Sequence, residues 1–213
     1  MSQRVTIALL TVLVLLVAPV CRANIIVTTP ANVASLYPMT DFPPDPRADD
    51  SAVTSVASPL GGSVEFWTQN EGAPLAMTLD KNAGWFPAAL GDVYKTSVSW
   101  VELILPVDTV AFSFSVGASA GGSGWVEGFD GDGHSAYQAF TLSATSTPSF
   151  GFATTGRCGS ISKIVVEPWE WGIGNFAISE GTCGAVSVPE PGTVELFGAG
   201  LLGLIALRRR RVF

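Results

Sequence analysis

Apolar residues recur with period two through the middle of this chain, in short runs broken by Gly, Pro, Asp and Asn, and no other feature restricts the fold as much. Successive side chains of a β-strand point to opposite faces. Over residues 110–116 this aims Val110, Phe112, Phe114 and Val116 one way and Ala111, Ser113 and Ser115 the other, which predicts a half-buried strand. Comparable runs predict strands over 64–68, 75–79, 98–105, 124–129, 137–143, 150–153, 161–167 and 175–179. With no convincing amphipathic helix to cover an open sheet, such a set is expected to close into an all-β, antiparallel β-sandwich of jelly-roll kind. The segment 37–50 carries Pro38, Pro43, Pro44 and Pro46, so it cannot supply a central strand. It is expected to follow the surface or a sheet edge and to contribute little to the core.

Two apolar stretches stand outside this pattern. At the start, Arg4 precedes an apolar run over 5–17, then Ala18-Pro19 and Cys21-Arg22-Ala23, the layout of a secretory signal peptide over 1–23 with cleavage after Ala23. The run is shorter than the roughly 20 residues that a membrane-spanning helix needs. Lipidation of Cys21 is the competing reading, and Val20 disfavours it because a small residue would be expected there. At the other end Val188-Pro189-Glu190-Pro191-Gly192-Thr193 precedes an apolar segment over 194–207 and then Arg208, Arg209, Arg210 and Arg211. Four guanidiniums cross a bilayer only at high cost, so they are expected to stay in the cytoplasm while the upstream chain is translocated. The segment of 14 residues spans about 21 Å as a transmembrane helix, against roughly 30 Å of hydrocarbon. With Gly198, Gly200 and Gly203 inside it, it suits a pause in translocation better than a permanent anchor.

In this order, VPEPGT, a short glycine-containing apolar helix and a terminal arginine cluster, the tail over 188–213 resembles the PEP-CTERM sorting signal of Gram-negative bacteria that make extracellular polysaccharide. The resemblance implies that an exosortase, an inner-membrane cysteine peptidase, recognises Pro189-Glu190-Pro191, cuts nearby and passes the domain to the cell surface or the medium. Prolines on both sides of Glu190 hold the backbone extended, the shape a protease cleft accepts. The same tail is also similar to the C-terminal segment of some ice-binding proteins, although the central sequence lacks the regular threonine array of an ice-binding face. The run ISKIVVEPWEWGIGNFAIS resembles the terminal strand pair of other jelly-roll-like surface domains that carry this tail.

Between the two processed ends, the domain over 24–187 holds five basic residues, Arg47, Lys81, Lys95, Arg157 and Lys163, against sixteen acidic ones, a net charge of −11. That balance keeps it soluble and argues against nucleic acid and anionic lipid as partners. Neutral extracellular polysaccharide, or acidic polysaccharide bridged by divalent cations, remains a partner class. Once the signal peptidase has removed Cys21, only Cys158 and Cys183 are left, and such a pair outside the cytoplasm is expected to form a disulfide. It would close a loop of about 25 residues and stabilise the fold by roughly 3 kcal/mol. It would also fasten the base of a closing hairpin made by 161–168 and 172–179.

Catalytic signatures are sparse. His134 is the single histidine, with no GxSxG or HExxH around it, which argues against a serine triad or a zinc site. Sixteen acids leave a glycosidase carboxylate pair open, so a secreted carbohydrate-active enzyme is the alternative to the expected non-enzymatic role. Asp130 and Asp132 in Asp130-Gly131-Asp132-Gly133-His134 are spaced as oxygen ligands of a weak calcium site, with Glu127 the nearest further carboxylate and a plain hairpin turn as the competing reading. Six tryptophans are many for 213 residues. Trp67, Trp100 and Trp125 lie within strand patterns and are expected in the core, whereas Trp85, Trp169 and Trp171 flank turns and are the candidates for glycan stacking. The expectation is therefore an exported surface or extracellular-matrix protein, structural or glycan-associated.

Overall fold

Period-two patterning becomes a sandwich of two antiparallel sheets. The computed structural model describes residues 24–181 apart from 69–71, 85–90, 119–120, 144–145, 156–158 and 168–170. Among these, the chain runs β1 (Ile25–Thr28), α1 (Pro30–Leu36), β2 (Thr40–Asp41), β3 (Ala52–Val53), β4 (Ser55–Ala57), β5 (Ser63–Trp67) and β6 (Met77–Asp80). It continues through β7 (Val93–Thr96), β8 (Val101–Ile104), β9 (Thr109–Ala118), β10 (Gly122–Asp130), β11 (Ser135–Leu142), β12 (Ser149–Thr154), β13 (Ile161–Glu167) and β14 (Trp171–Glu180). One sheet has the order β1-β12-β9-β14-β7-β6-β3, with β2 also pairing β14 where β7 has ended. The second has the order β11-β10-β13-β8-β5-β4. From β7 onwards every connection except the β10–β11 hairpin passes from one sheet to the other, which is jelly-roll winding. No helix among the described residues is long and apolar enough to cross a membrane.

The core lies between the sheets. Phe112, Phe114 and Val116 of β9, with Phe150 and Phe152 of β12, bury their side chains there beside Phe66, Leu103 and Ile164 of the opposite sheet. Phe114 and Phe152 stack with centroids 6.3 Å apart and planes 5° from parallel. Contrary to the half-buried strand expected at 110–116, β9 is buried on both faces. At Ala111 the second face is covered by α1, a short helix not expected from the sequence. Val33 of α1 packs on Ala111 and Ala153, and these small residues let it approach the sheet. Thr29 caps the helix, its Oγ1 accepting the Asn32 N–H at 3.3 Å, and Pro30 occupies the first turn.

Two other expectations are corrected. The proline-rich segment does contribute to the core: Phe42 meets Phe112 and Phe176 edge-on at 6.3 and 5.7 Å, and Asp45 is 3 % exposed. Its prolines keep it out of the ladder except at Thr40–Asp41, while its side chains fill space that β7 leaves open. Residues 161–168 and 172–179 do not form a hairpin. β13 pairs with β10 and β8, and β14 pairs with β9, β7 and β2 in the other sheet. Both strands read as apolar because each is enclosed by neighbours in its own sheet, and adjacency in sequence here marks a crossing between layers.

Candidate aromatic cleft on the six-stranded sheet

Alternation along β10 sends Val126 and Gly128 to the core and Trp125, Glu127 and Phe129 to the outer face of the six-stranded sheet. The ladder then fixes their neighbours. Trp125 stands opposite Glu167 of β13, Glu127 between Tyr137 of β11 and Val165 of β13, and Phe129 opposite Lys163. Glu102 of β8 stands between Val165 and Trp67 of β5. This outer face is well packed, since outward-pointing Val165 is only 2 % exposed. Lys163 places its Nζ 3.2 Å from Glu102 and 5.2 Å above the Phe129 ring, and Trp67 Nε1 donates to Glu65 at 2.9 Å.

Three aromatic rings gather at one end. Trp100, just before β8, meets Trp125 edge-to-face at 5.7 Å, and Trp125 meets Tyr137 at 5.8 Å with planes 33° apart. Tyr137 is 57 % exposed. Beside them opens a cleft of about 600 Å³ bounded by Ser99, Ser123, Trp125, Tyr137, Thr141 and Glu167. Among the described residues, no ion pair or hydrogen bond engages the Glu167 side chain. Ring faces beside a carboxylate and hydroxyls can offer stacking to an apolar surface and hydrogen-bond acceptors to the donors at its rim.

These positions differ from those expected. Trp67, Trp100 and Trp125 are half-buried on the outer face rather than in the core, because each has the opposite parity to its inward neighbours Phe66, Val101 and Val126. Trp171 is 1 % exposed and its Nε1 donates to the Val98 carbonyl at 3.0 Å, so this residue is a core side chain and no surface platform. Trp85 and Trp169, Cys158 and Cys183, the motif Val188, Pro189, Glu190 and Pro191, and Arg208, Arg209, Arg210 and Arg211 lie outside the described residues. Tyr137 was missed. A signal for the face did exist in the alternation of Trp125, Glu127 and Phe129 with Val126 and Gly128, since charge on one parity marks it as the outer one.

At the β10–β11 turn, Asp130, Asp132 and His134 bring their ligand atoms within 4.8 Å of one another. Asp130 is nonetheless spent on the turn itself. Its Oδ1 accepts the N–H groups of Asp132 at 3.0 Å and His134 at 2.8 Å, and its Oδ2 lies 2.8 Å from His134 Nδ1. Burial raises the Asp130 pKa, but the His134 ring and the two amides outweigh it and hold the carboxyl below the ordinary range. The turn is thus accounted for by its own hydrogen bonds, and Glu127 points to the aromatic face instead.

No curated protein matches the chain. A family model described as the PEP-CTERM protein-sorting motif does match, over residues 187–211, where the apolar segment follows Pro189-Glu190-Pro191 and leads into the arginines. That match identifies a PEP-CTERM sorting signal in the tail, which marks the chain for export and for sorting by an exosortase.

Proposed function

We propose that the exported domain is a cell-surface or extracellular-matrix component that holds glycan at the aromatic cleft and does so without turnover. The observation that carries this reading is the Trp100–Trp125–Tyr137 cluster, exposed at Tyr137 and bordered by Glu167. A pyranose ring has apolar C–H faces that stack on aromatic rings and a rim of hydroxyls that donate to carboxylates and serine oxygens. The surplus of acidic residues favours neutral polysaccharide, or acidic polysaccharide bridged by Ca²⁺, over free polyanions. In the same reading the signal peptide is removed after Ala23, the segment 194–207 halts in the inner membrane before exosortase cleavage, and Cys158 and Cys183 form a disulfide.

Titration of the processed protein against neutral and acidic polysaccharides, with and without Ca²⁺, tests the proposal. Trp125→Ala is expected to weaken binding at least about tenfold, or roughly 1.4 kcal/mol, with thermal stability tracked alongside. Unchanged affinity in that variant, or the lack of any bound glycan, overturns it. Release of sugar product that Glu167→Gln abolishes would replace binding with hydrolysis.

A further inference from the structure

β11 is the outermost strand of the six-stranded sheet and is paired along Ser135–Leu142 on one side only among the described residues. Asp130 N–H donates to the His134 carbonyl at 3.0 Å, which marks that pair as hydrogen-bonded. In an antiparallel ladder such pairs recur at every second residue. The even-numbered residues of β11 therefore bond to β10, and Ser135, Tyr137, Ala139 and Thr141 direct both N–H and C=O to the free edge. Among the described residues the other edge strands are short, at 4 residues in β1, 2 in β2, 2 in β3 and 3 in β4, against 8 in β11. Proteins usually protect a long edge with charge, proline or a bulge. β11, reading SAYQAFTL, has no charge or proline, and its register with β10 is unbroken. Tyr137 and Ala139 are exposed on one face and Gln138 on the other.

We propose that this edge pairs with the same edge of a second copy, antiparallel about a two-fold axis at Gln138. Gln138 then faces the partner's Gln138, Tyr137 faces the partner's Ala139 and Ser135 faces the partner's Thr141, so every outward N–H and C=O of these residues finds a mate. Such pairing is isologous and closes at two copies. Charge selects the occupant. Two acidic domains repel wherever their carboxylates meet, whereas residues 135–156 contain no charged side chain, so here two copies approach without opposing like charges. The two outer faces become continuous, with Tyr137 and Ala139 of each copy at the join, and the partner extends the cleft.

The processed product of the full chain is the sample. Sedimentation is expected to give a dimer, and Gln138→Lys, which sets two ammoniums face to face on the axis, a monomer that keeps the native circular dichroism and a single cooperative unfolding transition. Gln138→Cys is expected to give a disulfide-linked dimer, mapped to residue 138 by mass spectrometry, while Leu60→Cys at another exposed site gives none. A wild-type monomer at the highest attainable concentration, or equal cross-linking at both sites, overturns the proposal. Should Gln138→Lys fail to fold, the cysteine pair decides. Glycan affinity is read separately, so either proposal can fall alone.

Discussion

Asp45 carries more of the structure than its place among prolines suggests. Its carboxylate accepts from the Arg47 guanidinium at 2.8 and 2.5 Å and from the Tyr94 hydroxyl at 3.1 Å, while Arg47 also reaches the Ser55 carbonyl at 2.8 Å. The Asp45 N–H donates to the Asp92 carboxylate, and Lys81 donates to the Asp45 carbonyl at 2.5 Å. The Arg47 side chain pulls the Asp45 pKa below the ordinary range against the effect of burial, with the Arg47 amide and Tyr94 adding to the pull. Burial, helped by the Asp45 charge, pushes the Tyr94 hydroxyl far up. Asp45 and Asp130 both have lowered pKa values in the folded state. Their contribution to stability is therefore complete above the unfolded carboxyl pKa of about 3.9 and is lost as pH falls through the lower folded values. Thermal melts across acid pH should show this decline. Asp45→Asn should cost about 2 kcal/mol at neutral pH and make the acid decline shallower, and an unchanged decline would assign it to other groups.

At the scale of elements, a small residue on one strand decides whether another element can dock. A Cβ at Gly151 would collide with the Val33 side chain and come within 3.0 Å of the Thr29 carbonyl, so α1 rests on β12 only because that position is glycine. Gly151→Ala is expected to destabilise the fold by about 1–3 kcal/mol, measured by denaturant unfolding, and Val33→Ala in the same chain should recover part of the loss. Thr29-Pro30 was a readable helix start. Seven residues gave too little apolar period to declare the helix, and only docking on Ala111 and Ala153 makes it stable. β14 shows the converse. Its register on β9 shifts between Gly174 and Ala177, where Asn175 takes a φ of 54°, and this bulge divides its other side between β7 and β2.

Across the whole molecule, the tail and the sandwich answer to different physics. The sorting signal is linear, so Glu190→Ala, which leaves both prolines in place, should retain the chain in the inner membrane, as fractionation of cells with and without an exosortase would show. Unchanged release would end the exosortase role of that motif. By itself the sequence determined this address, the period-two strands and the acidic character of the exported part, because each depends on residues close together in the chain. It also permitted a sandwich of jelly-roll kind, since short strands without a long helix have few other ways to bury one face. Tertiary structure alone decided which tryptophans would be outside. Trp100, Trp125 and Tyr137 lie on three separate strand regions, and their meeting follows from β11, β10, β13 and β8 being neighbours in that order. It likewise decided that both faces of β9 are covered and that β13 and β14 part company. Strand order and second-face burial depend on contacts between residues far apart in the chain, and no local pattern encodes them.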